Sequence, residues 1–275
     1  MAAKADSILV TEGVSIRFGG LLALAGISLV MRPATITAII GPNGAGKTTL
    51  FNCITGFYRP TEGRIIFRPD GRDVVLNRLP IHKIAQLGVA RTYQNIRLFG
   101  QMSVLENLLV AQHHFVNHRL ISGIFQTRSF RKSEAEAVEQ AWFWLEFMGM
   151  EQLANQDAGT LPYGQQRRLE VARAMASRPR LICLDEPAAG LNLQESEELN
   201  QLILKLREEH GVSVLLIEHH MGVVMSISDH VVVLDHGEVI SDGTTEQVQQ
   251  DERVIKAYLG EEDAEELQSV TKGAG

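Results

Sequence analysis

Lys47 and Thr48 stand near the end of Gly41-Pro42-Asn43-Gly44-Ala45-Gly46-Lys47-Thr48-Thr49, which fits G-x-x-x-x-G-K-[ST] at every fixed position. With four fixed positions at ordinary residue frequencies, a chance match in a chain this long arises about once in a hundred sequences. Glycines in such a loop let backbone N–H groups curl around an anion, and the helix that follows adds partial positive charge at its N-terminus. Lys47 would reach the outer phosphates, and the Thr48 hydroxyl would ligate Mg2+. A second chemical pair closes the apolar run Arg180-Leu181-Ile182-Cys183-Leu184-Asp185-Glu186. Asp185, at the end of an expected strand, is placed to hold Mg2+. Glu186 directly after it is poorly explained as structure. It is well explained as a group that orients and polarises an attacking water.

Other polar residues fall where ligands are usually met. Gln94 follows Val89-Ala90-Arg91-Thr92-Tyr93, an expected strand, at the end where α/β sheets present binding groups. Glu218-His219-His220 follows the strand Val212 to Ile217; by itself, an adjacent histidine pair there has a polar turn as its lesser reading. Phe18 has two readings, a core aromatic or a platform on which an adenine stacks beside the phosphate loop. Leu161-Pro162-Tyr163-Gly164-Gln165 opens a helix whose Leu169, Ala172 and Ala176 share one face, and its N-terminus is a second anion site. His113, His114 and His118 lack cysteine or carboxylate neighbours at ligand spacing and read as solvated rather than metal-binding.

The elements that must position these groups alternate in type. Residues 8 to 32 suggest antiparallel strands joined near Gly19-Gly20, Ile36 to Ile40 a buried strand, and Thr49 to Ile54 a helix. Gly63 to Phe67 reads as a strand and Ile81 to Leu87 as a short helix. From Gln94 to about Leu161 the pattern turns helical. Ser103 with Glu106 makes a capping box for Val104 to Gln112, and Ser133 opens an amphipathic stretch through Met148 in which Trp142, Trp144 and Phe147 read as helix packing. A helix from Gln194 to about Glu209, the strand Val231 to Leu234, the turn Asp235-His236-Gly237 and short helices complete the chain. The acidic end Glu261-Glu262-Asp263-Ala264-Glu265-Glu266 reads as a solvated, partly disordered tail.

The chain has 275 residues, 45% of them hydrophobic, enough for a substantial core. No run of eighteen apolar residues and no signal-peptide core occurs, so neither a membrane span nor secretion is expected. Cys53 and Cys183 sit in apolar stretches, which argues for core thiols and a cytosolic compartment rather than a disulfide framework. A net charge of −7 disfavours nucleic acid as a partner.

Taken in order, these motifs resemble the nucleotide-binding subunits of ABC transporters from about Ile8 to Gly260. The resemblance implies an α/β P-loop ATPase core (1–93 and 162–245) with an antiparallel β subdomain, an inserted helical subdomain (94–161), and a C-terminal helix and tail (246–275). It implies ATP and Mg2+ as cofactors. Phe18 would stack the adenine, Gly41 to Thr49 hold the phosphates, and Gln94 link Mg2+ and the attacking water to the membrane partner. Asp185 and Glu186 would be metal ligand and catalytic carboxylate, and His219 the switch histidine. Leu161 to Gln165 would be the signature, with Tyr163, Gly164 and Gln165 facing nucleotide across a dimer, and Gly190-Leu191-Asn192 the dimer-contact loop.

A finer resemblance, to the ATP-binding subunit of the branched-chain amino acid importers, rests on Arg17 to Leu21, Arg91 to Gln94, Glu106 to Ala111, Tyr163 to Arg168, Pro187 to Asn192 and Ala257 to Gly260. Such importers imply two membrane-spanning permease subunits, a second ATP-binding subunit and, indirectly, a periplasmic binding protein. The chain would then lie peripherally on the cytoplasmic face of the inner membrane. Soluble ABC ATPases, and importers for urea or amides, stand as alternatives. The chain departs from the general Leu-Ser-Gly-Gly-Gln signature at Pro162 and Tyr163. Proline removes a hydroxyl and an N–H that would meet the γ-phosphate, which implies two unequal ATP sites.

Overall fold

The computed structural model describes residues 6–113 and 128–258. His114, His118 and the acidic tail lie outside those residues. Strands β1 (Leu9–Phe18), β2 (Leu21–Met31) and β3 (Ile36–Ile40) precede helix α1 (Lys47–Ile54). Then come β4 (Glu62–Phe67), β5 (Val74–Val75), α2 (Ile81–Gln86), β6 (Val89–Arg91), α3 (Val104–Ala111) and α4 (Arg128–Phe147). The remainder runs α5 (Tyr163–Ala176), β7 (Leu181–Asp185), α6 (Leu193–His210), β8 (Ser213–Ile217), α7 (Met221–Ile227), β9 (His230–Asp235), β10 (Glu238–Gly243) and α8 (Thr245–Gln249).

Two sheets form. The first is antiparallel, in the order β2-β1-β4-β5. The second has the order β10-β9-β3-β8-β7-β6 and is parallel except for the edge strand β10. Every residue of β3, β7 and β8 is buried, as expected of central parallel strands covered on both faces. Alternate side chains feed two cores. Ile36, Ala38, Ile40, Ile182, Leu184, Val214 and Leu216 face Leu108, Leu145, Leu169 and Ile203 of the helices α3 to α6. Ile39, Cys183, Leu215 and Ile217 face Leu50, Phe51 and Ile54 of α1 together with Leu9, Leu24 and Ile27 of the antiparallel sheet. Cys53 and Cys183 are free and buried, and burial pushes both thiols up to about 12, which makes them poor nucleophiles.

The Ser103–Glu106 capping box forms as its spacing predicts. Three expectations need correction, and two elements were not expected. The strand before Gln94 ends at Arg91 instead of Tyr93, because Thr92 makes the last bond to β7, and the Tyr93 N–H turns to the Glu170 carboxylate. Helix α4 is already formed at Arg128, five residues before Ser133. Trp144 is buried and Phe147 partly so, but Trp142 is exposed. Strand β10 and helix α7 lack an advance signal: β10 is an edge strand carrying only Val239 and Ile240 as apolar side chains, and tertiary pairing with β9 through the His236-Gly237 turn makes it a strand.

Candidate nucleotide site

The loop from Gly41 to Gly46 joins the end of β3 to α1, whose first residue is Lys47. Gly41 has φ 145 and a Cβ there would run into the Leu234 carbonyl oxygen. Gly46 has φ 101, and its Cβ would lie 2.8 Å from Leu24 and 2.9 Å from the Ala23 oxygen. Both positions therefore require glycine, on conformation and on space. Lys47 Nζ donates to the Gly41 oxygen at 2.7 Å and the Pro42 oxygen at 2.9 Å, so the ammonium spans the loop mouth. Burial pulls its pKa down, while the negative charges of Glu186 and Asp185 oppose that shift.

Asp185 ends β7 and is gripped from one side. Arg91 Nη2 donates to Asp185 Oδ2 at 2.7 Å, with both side chains nearly buried, and Arg91 Nη1 donates to Asn52 Oδ1 and Thr55 Oγ1. The same guanidinium lies over the rings of Phe51, Phe57 and Tyr93. Glu186 leaves the strand in the left-handed region, φ 48, with its N–H held by the Ile217 oxygen at 2.9 Å. That turn presents its carboxylate to the loop. Gln94 Nε2 donates to Glu186 Oε2 at 2.7 Å, and His219 Nδ1 lies 3.7 Å from the same oxygen.

Two adjoining clefts share Asn43 and Glu186. One, of about 450 Å³, is lined by Phe18, Leu21, Leu22, Ala23, residues 43–49, Glu186 and His236. The other, of about 480 Å³, is lined by Gly41, Pro42, Asn43, Gln94, Glu186, His219, Ala257 and Tyr258. Phe18 is 43% exposed and meets Tyr58 edge to face at 5.1 Å. It is a rim aromatic rather than a core one. The fold thus gathers Phe18, the phosphate loop, Gln94, Glu186 and His219, while Tyr163, Gly164 and Gln165 line neither cleft. Tyr163 packs on Gly190, and Gly164 sits against Glu195 of α6. A divalent ion suits the groups left open: the Thr48 hydroxyl, the Asp185 oxygen that Arg91 does not use and the Gln94 amide oxygen are hard oxygen donors, as Mg2+ takes. Among the described residues no cluster of three or more His, Cys, Asp or Glu side chains could hold a metal unaided.

Sequence reasoning missed several residues. Arg91 and Tyr258 lie inside stretches used for the finer resemblance, but nothing local tells that one pairs with Asp185 and the other reaches the phosphate loop. Glu218 is buried; it accepts the Ala188 N–H at 3.0 Å and the His219 N–H at 3.3 Å, and burial pushes its carboxyl up. Arg167 and Glu170 form a buried ion pair at 2.8 Å inside α5. Their i, i+3 spacing was legible, but two charges on a helix usually mark a solvated face.

A glycine loop between a central parallel strand and a helix, two carboxylates ending the adjacent strand, and an antiparallel sheet beside the loop define an ATP-binding cassette ATPase. The family model for ABC transporters matches residues 24–189, and one for branched-chain amino acid ATP-binding cassette transporters matches residues 238–264. The chain is 57% identical over 254 residues to BraF, a high-affinity branched-chain amino acid transport ATP-binding protein of Pseudomonas aeruginosa, covering 92% of this chain and 98% of that protein. It is 50% identical over the same length and coverage to LivG of Escherichia coli, which carries the same description. The crystal structure of the ADP conformation of an ABC transporter's ATP-binding cassette superposes with a TM-score of 0.79 at 35% identity, covering 93% of this chain and 99% of that one. The chain belongs to the ABC transporter family, as an ATP-binding and ATP-hydrolysing cassette. No described helix is long and apolar enough to cross a membrane.

Proposed function

We propose that the chain drives an importer of branched-chain amino acids from the cytoplasmic face of the inner membrane, in a dimer of ATP-binding subunits joined to two permeases and served by a periplasmic binding protein. The observation that carries the catalytic part is the convergence of Gln94 and His219 on one oxygen of Glu186 beside the phosphate loop. The cargo rests on the descriptions of BraF and LivG. The division into core (1–93, 162–245), helical insertion (94–161) and C-terminal segment (246–275) belongs to the same reading. Exposed Phe57, which meets Tyr93 edge to face next to Gln94, supports a permease contact there.

In the cycle, Lys47 exchanges the Gly41 and Pro42 carbonyls for the outer phosphates, which replaces two neutral acceptors with charged ones. Phe18 stacks the adenine. Thr48 and Asp185, with Gln94, would hold Mg2+, and the ion would supply neutralisation of phosphate charge. Glu186 accepts a proton from the attacking water, and His219 and Gln94 fix that carboxylate's direction. Tyr163, Gly164 and Gln165 complete the partner's site. Deleting the gene should abolish high-affinity uptake of radiolabelled leucine, isoleucine and valine, with wild type but not Glu186→Gln restoring it. Intact leucine uptake alongside lost urea or amide uptake would assign another cargo.

A further inference from the structure

The buried pair Arg167–Glu170 has more to hold than itself. Arg167 is fully buried, the largest such side chain among the described residues, and each terminal nitrogen serves two partners. Nη1 donates to the Tyr93 oxygen at 2.7 Å and to Glu170 Oε2; Nη2 donates to the Gln94 oxygen at 2.8 Å and to the Tyr163 hydroxyl at 3.2 Å. Glu170 Oε1 accepts the Tyr93 N–H at 3.3 Å and the Arg97 N–H at 3.4 Å. Four backbone groups of residues 93–97 are thus bound to two side chains one turn apart on the signature helix α5. The first residue of that helix, Tyr163, hangs from the same guanidinium that holds the Gln94 carbonyl.

We propose that Arg167 and Glu170 are positioning residues that lock the backbone around Gln94 to the signature helix, so that displacement of that helix by nucleotide in the partner's site moves Gln94 relative to Glu186. This rests on the roles given above to Gln94 and Glu186. A planar guanidinium with paired donors can hold two carbonyls and a carboxylate at once, and in a buried setting those bonds resist independent motion of loop and helix. The distance from Gln94 Nε2 to Glu186 Oε2 is then a property of α5 as well as of the loop.

The test is a double-mutant cycle on the full chain in its assembled transporter, with Glu170→Gln, Arg167→Lys and Gln94→Ala singly and in pairs. Each clamp variant should lower ATP turnover about tenfold, in the range for outer-shell positioning groups, with the Kd for Mg-ATP unchanged. In the Gln94→Ala background the clamp variants should cost nothing further. Losses that multiply in that background, or a weaker Kd in parallel with turnover, overturn the proposal. Wild-type hydrogen exchange offers a measurement independent of any variant: the Tyr93 and Arg97 amides should be protected, and exchange at the rate of open loop overturns it too. If Gln94→Ala itself leaves turnover at the wild-type rate, the catalytic reading fails first and takes the clamp with it, an outcome distinct from multiplying losses.

Discussion

Glu186 is held at φ 48, a conformation that costs a non-glycine residue on the order of 1 kcal/mol or more. Its neighbours over-determine it: the Ile217 carbonyl holds the N–H, and Gln94 holds the carboxylate. Strain kept at a carboxylate aimed into a phosphate loop is expected where function outweighs stability. Glu186→Gly should therefore raise the melting temperature while abolishing hydrolysis, and Glu186→Gln should keep ATP binding while slowing hydrolysis by about two orders of magnitude or more. Wild-type turnover in the glutamine variant would remove the assignment. Glu218 gives a pH prediction. Its carboxyl is raised by burial, so the folded state binds the proton more tightly than the unfolded one. The resulting stability is fully present below the ordinary carboxylate range and is lost as pH rises through the folded value. Glu218→Gln should gain on wild type in thermal melts as pH increases from about 4 to 7. A constant difference across that window would mean the burial cost is met by the Ala188 and His219 amides.

At the scale of elements, helix α5 is the part whose start matters most. Pro162 is its N-cap, with φ −53 and no side-chain cap bond, and it withholds one of the four N–H groups that a helix N-terminus normally presents. The amides of Tyr163, Gly164 and Gln165 remain. Pro162→Ser would supply a hydroxyl that either caps Gln165 N–H, worth about 1 kcal/mol of stability, or meets the partner's γ-phosphate, worth about 1.5–3 kcal/mol. The expected result is a lower ATP midpoint for dimer closure, by about tenfold, with unchanged ATP affinity at this chain's own loop. A higher melting temperature with an unmoved midpoint would show the hydroxyl spent on the cap, and would leave the inequality of the two ATP sites without this cause.

For the whole molecule, the position of the signature residues decides what a single chain can do. Tyr163 packs on Gly190, while neither Tyr163, Gly164 nor Gln165 lines the clefts around the phosphate loop. On the function proposed above, one chain would carry half of each of two sites. The isolated chain should bind Mg-ATP yet turn it over slowly, with specific activity rising as protein concentration drives pairing, and rising again when permeases are added. Full activity from a preparation shown to be monomeric by light scattering at low concentration would contradict this.

The phosphate loop, the paired carboxylates and the central parallel strands were legible because each depends on local spacing. Gly41 to Thr49 lies on nine consecutive residues, Asp185 and Glu186 are adjacent, and buried parallel strands read as unbroken apolar runs. Long-range pairing carries no such period. Arg91 meets Asp185 across 94 residues, Gln94 meets Glu186 across 92, and Arg167 meets Tyr93 across 74. Sequence spacing also left Phe18 suspended between core and rim, since alternation along β1 is interrupted by register shifts before it ends. The chain's own residue types determined that a phosphate would be bound and a water activated. Only the stacking of β6, β7 and β8 side by side, with α5 packed across their loops, decided which polar groups stand within 3 Å of one another, because hydrogen bonds depend on distances in space that a linear order does not contain.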